Sequence, residues 1–71
     1  MLVKIAVPVF RCKEDENIFF SRLYDLSGFD QIISKGGQLY LTLVDVDEQE
    51  TEAEIQEICA AWGAVFEVLK Y

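Results

Sequence analysis

At 71 residues the chain has room for one compact domain with one core and none for a separate catalytic lobe. A composition of 52% hydrophobic and 27% charged residues is that of a folding globular chain, which excludes a disordered tail or an acidic linker. Thirteen acids against six bases set the net charge at −7, a sign that repels nucleic-acid phosphates and anionic lipid headgroups, and the absence of histidine removes His-based acid/base catalysis, Ser-His triads and imidazole metal sites.

The opening Met1 to Phe10 alternates the β-branched Val3, Ile5, Val7 and Val9 against Leu2, Lys4, Ala6 and Pro8, the pattern of a first strand. Lys4 and Pro8 interrupt its apolar run and no small-residue cleavage site follows, so it reads as structure and not as a signal peptide. Arg11 to Asn17 is polar apart from Cys12, and Asp15 or Asn17 is the predicted cap of a first helix over 18–26, where Phe19, Leu23 and Leu26 recur at helical spacing. Ser27-Gly28 is its stop signal.

Residues 29–34 are short and β-prone, and Lys35-Gly36-Gly37 forms a turn into an alternating strand over 38–46. Thr51-Glu52-Ala53-Glu54 fits a capping box, and Ile55, Ile58, Cys59 and Trp62 make the i, i+3, i+4, i+7 stripe of a second, core-facing helix. Gly63 ends that helix before a last strand over 64–71. The order βαββαβ predicts one α+β domain over residues 1–71, a ferredoxin-like sandwich with a four-stranded antiparallel sheet and both helices on one face. That plan makes the first strand central, so Pro8, which has no N–H to donate, must fall at a strand end or in a bulge. The alternative order is βαβαβ, with residues 29–34 continuing the helical region.

These elements carry a resemblance. Leu26-Ser27-Gly28-Phe29, Thr51 with Ile55, and Gly63 are similar in kind and position to markers of the heavy-metal-associated domain, the ferredoxin-like module of copper chaperones and metal-pumping ATPases. Where that family carries Met-x-Cys-x-x-Cys, this chain reads Phe10-Arg11-Cys12-Lys13-Glu14-Asp15, a degenerate motif with the first cysteine only. The resemblance implies a soft metal ion at Cys12, with Asp15 as a harder second ligand or Cys12 from two protomers as a thiolate pair, whereas Cu(I) prefers two thiolates. No other cofactor is expected.

The remaining candidates concern partners. Cys12 and Cys59 share no pairing motif and suit a reducing, cytoplasmic compartment, with Cys12 an ordinary loop thiol and Cys59 a small core hydrophobe. Seven acids and no base between Asp45 and Glu57 make either a solvated helix face or a docking surface for a basic protein, with Glu50, Glu52 and Glu54 as its centre. Phe20 and Tyr24, one turn apart, lie beside the core stripe as an exposed contact pair or as the half-buried edge of a broad stripe. The sheet face away from the helices carries Leu2, Lys4, Ala6, Tyr40, Thr42, Val44, Val65, Glu67 and Leu69, an apolar set for a surface. With no nucleophile beside a base and no glycine-rich phosphate loop, the sequence predicts a non-catalytic, self-associating interaction domain. Tyr40 and Val44, with Phe20 and Tyr24, are its predicted interface. A ligand-binding regulatory domain of the ACT kind shares the same element order.

Overall fold

Pro8 sets the length of the first strand. In the computed structural model, which describes residues 1–70, β1 runs over Leu2–Ala6 and stops two residues before Pro8, because a residue without an N–H cannot extend a central ladder. Val7 and Val9, expected within the strand, instead enter the loop, and Val9 is almost wholly exposed. Helix α1, Lys13–Tyr24, begins a turn earlier than the apolar spacing indicates. Neither Asp15 nor Asn17 caps it; Cys12 is the N-cap residue, with no side-chain hydrogen bond to the free amides. Glu14, Asp15 and Glu16 fill the first turn, where the helix dipole favours negative charge, and Lys13 bonds Glu16 at 2.9 Å.

Strand β2, Phe29–Lys35, and strand β3, Gln38–Leu43, form a hairpin across Gly36 and Gly37, both at positive φ, as a two-residue turn matched to strand twist requires. This overturns the βαβαβ alternative. Val44 and Val46, expected in β3, lie beyond it. The chain turns at Asp45, whose φ of 53° is a conformation aspartate tolerates, and Asp47 then caps α2, Glu48–Trp62, by accepting from the Glu50 amide at 3.0 Å. Thr51 is therefore not the cap; it is buried one turn inside the helix. Gly63, left-handed at φ 67°, closes α2 before β4, Val65–Lys70, while Tyr71 lies outside the described residues.

The sheet order is β2-β3-β1-β4 with every pair antiparallel, so β1 and β3 are central, as in a ferredoxin-like fold. Val3 and Ile5 of β1 and Leu39, Leu41 and Leu43 of β3 are buried in one cluster with Phe19 and Leu23 of α1 and Ile55, Ile58 and Cys59 of α2. Both helices thus cover one sheet face. Phe19 is the largest fully buried side chain, and its ring meets Phe10, Phe20 and Trp62 at centroid distances of 5.2–5.7 Å. Gly28 joins the layers: at φ 79° its carbonyl accepts from the Val44 amide at 2.8 Å, and a Cβ there would run into the Val44 carbonyl and the Val46 side chain. No helix among the described residues is long and apolar enough to cross a membrane.

Candidate protein interface

The pleat that buries Val3, Ile5, Leu39 and Leu41 turns their neighbours to the opposite face. Cross-strand register then orders that face in rows. Ile33, Tyr40, Lys4 and Glu67 pair in succession across β2, β3, β1 and β4, and Lys35, Gln38, Ala6 and Val65 form the next row. Among the described residues nothing covers these rows. Val65 is 71% exposed, Ile33 50% and Leu69 44%, while Leu2, Tyr40 and Thr42 are half-buried by their neighbours alone.

Polar groups interrupt this surface. Lys4 bridges to Glu67 at 3.4 Å, an exposed pair contributing at most about 1 kcal/mol to stability. Lys4, Ile33, Lys35, Gly36, Gln38 and Tyr40 line an open hollow of about 800 Å³. The Oε1 of Gln38, beside that hollow, is buried with no hydrogen-bond partner among the described residues. An acceptor so placed favours any additional donor brought to it.

The predicted flank exists in altered form. Phe20 is half-buried against the core and Tyr24 is exposed, their rings 6.4 Å apart, and Tyr24 also meets Phe29 edge-on at 5.2 Å. The pair is therefore one edge of a continuous aromatic cluster. Its free surface is mainly Tyr24, at a shallow depression shared with Asn17 and Ser21. Val44, predicted on the open face with Tyr40, lies past the end of β3 beside Gly28. On α2, Glu50 and Glu54 are exposed, Glu52 is half-buried, and the Glu50 amide is held by Asp47.

Cys12 is exposed at the start of α1 and Asp15 half-buried in its first turn, so the two sequence-derived ligands are one helical turn apart. Among the described residues no three His, Cys, Asp or Glu side chains gather as a metal-holding group. Cys59 is the other thiol, but it is buried in the core and burial raises its pKa to about 11. One chain therefore does not provide the thiolate pair that fits Cu(I). Sequence reasoning missed the contribution of β2: Ile33 and Lys35 complete the open face, and the adjacent Ile32-Ile33 hid which of the two points outward. In comparisons with known proteins, no family model, no curated protein and no solved structure matches this chain.

Proposed function

We propose that this chain is a non-catalytic protein-interaction domain of a reducing, cytoplasmic compartment, and that it works by associating with a second copy of itself through the open sheet face. The observation that carries this reading is the exposure of Val65, Ile33 and Leu69 on a sheet face whose other side already holds both helices. Apolar side chains left exposed on one sheet face are removed from water most simply by another protein. Two free cysteines, one exposed, suit a compartment that keeps thiols reduced. Tyr24 and the edge of Phe20 provide a secondary contact.

The resemblance to the heavy-metal-associated domain supplies a second reading, a metal shared by Cys12 from two copies, for which the exposure of Cys12 speaks. The test is the solution mass of reduced protein by light scattering across a concentration series, with and without a chelator. A dimer indifferent to chelator supports the sheet-face reading, and one that dissociates with chelator supports Cys12 as a shared ligand. A monomer at every concentration refutes self-association and leaves the acidic α2 surface, centred on Glu50, Glu52 and Glu54, as the contact for a basic protein.

A further inference from the structure

The charge on this molecule is unevenly divided. Five glutamates and no base lie on α2, between Glu48 and Glu57, and Glu14, Asp15 and Glu16 crowd the start of α1. The open sheet, in contrast, sets Lys4, Lys35 and Lys70, the last paired with Leu2, against Glu67 and against Asp30 in the bulged start of β2. It is a nearly neutral face on a molecule of net charge −7. Two copies meeting through their helical layers bring like charge together, whereas two open sheets do not.

Resting on the self-association proposed above, we infer the geometry of the pair: a two-fold dimer of stacked sheets whose axis runs parallel to the strands, with Lys35 of each copy reaching Glu67 of the other. Such an axis lays the order β2-β3-β1-β4 over its reverse, so β2 of one copy covers β4 of the second. Lys35 shares a row with Val65, and Glu67 lies one row along, roughly 7 Å away in the strand direction. Stacked sheets lie about 10 Å apart and cross at about 30°, a gap and an offset that a lysine and a glutamate span diagonally. The same stacking sets Lys4 over Tyr40 of the second copy, an ammonium above an aromatic ring. An axis across the strands instead stacks β4 on β4 and opposes Glu67 to its own copy, which like-charge repulsion disfavours.

Four strands about 4.8 Å apart and some 20 Å long offer each copy roughly 400 Å² of planar contact, about half of what each partner buries in a standard interface. The pair is therefore a transient dimer that dissociates on dilution.

The experiment is sedimentation equilibrium of the reduced full chain at low ionic strength, comparing wild type with Lys35→Glu, Glu67→Lys and the double exchange, each checked for folding by circular dichroism. Each single reversal is expected to raise the dimer dissociation constant tenfold or more, and the double exchange to return it to within about threefold of wild type. A double exchange as weak as the two singles combined overturns the pairing. Val65→Glu, at a position 71% exposed in the monomer, separates sheet stacking from self-association by another surface. If wild type dimerises and Val65→Glu dimerises equally well, the sheet-stacked geometry is wrong while self-association stands; a wild type that stays monomeric defeats both.

Discussion

Cys59 reports on the core. Its thiol is 2% exposed on α2 and desolvation raises its pKa from 9.0 to about 11, so the folded chain holds this proton over a range in which the unfolded chain has released it. Folding stability is then intact below pH 9 and falls as pH rises from about 9 to about 11, by roughly 2–3 kcal/mol from this group. Comparing urea midpoints of wild type with those of Cys59→Ala isolates the contribution of this thiol. The stability advantage of wild type is expected to shrink between pH 8 and pH 11, and a constant difference would contradict the burial of the thiol. That Cys59 faces the core was legible from its place in the Ile55, Ile58, Cys59, Trp62 stripe. Thr51 was not legible, because two capping patterns lie one turn apart: Thr51 with Glu54, and Asp47 with Glu50. The chain uses the second, since the turn at Asp45 brings Asp47 to the helix end, and Thr51 then falls on the buried side.

At the scale of elements, the two helices begin in contrasting ways. Asp47 accepts from the Glu50 amide, whereas Cys12, in an extended conformation suited to a cap, makes no such bond through its sulfur. Asp47→Ala is expected to cost about 1 kcal/mol, and Cys12→Ser to add about 0.5–1 kcal/mol by supplying a hydroxyl acceptor. Chemical denaturation of both variants measures this; no loss in the first or no gain in the second would show that the local cap geometry differs. Element type and order could be read from periodicity, and glycine marked the end of α2 and the hairpin turn, but the start of α1 and the ends of β1 and β3 could not be read. The first turn of α1, Lys13 to Glu16, has no apolar residue to reveal it, and its acids are stabilised by the helix dipole without any periodic signal. The ends of β1 and β3 are set by Pro8 and by the Val44–Gly28 contact, the latter between residues distant in sequence.

At the scale of the molecule, one buried cluster consumes the inner sheet face and both helices, while the outer face keeps Ile33, Val65 and Leu69 exposed. The outward set on β1 and β4 followed from alternation alone, as did that on β3 except for Val44, which lies past the strand's end. The part played by β2 did not, because its pairing with β3 shifts register between Phe29 and Gln31 and the residues beyond resume an alternation the sequence does not display. Long-range repulsion between copies of charge −7 limits how they approach, and the near-neutral sheet is the face on which it is weakest. The most direct test of self-association through this face is a dilution series of amide chemical shifts recorded on reduced, isotope-labelled protein. Pairing through the sheet should concentrate the concentration-dependent shifts on the four strands, around Ile33, Tyr40, Lys4 and Val65, and spare α2. Shifts confined to α2 or to the Cys12 loop, or no shifts at all, would contradict it.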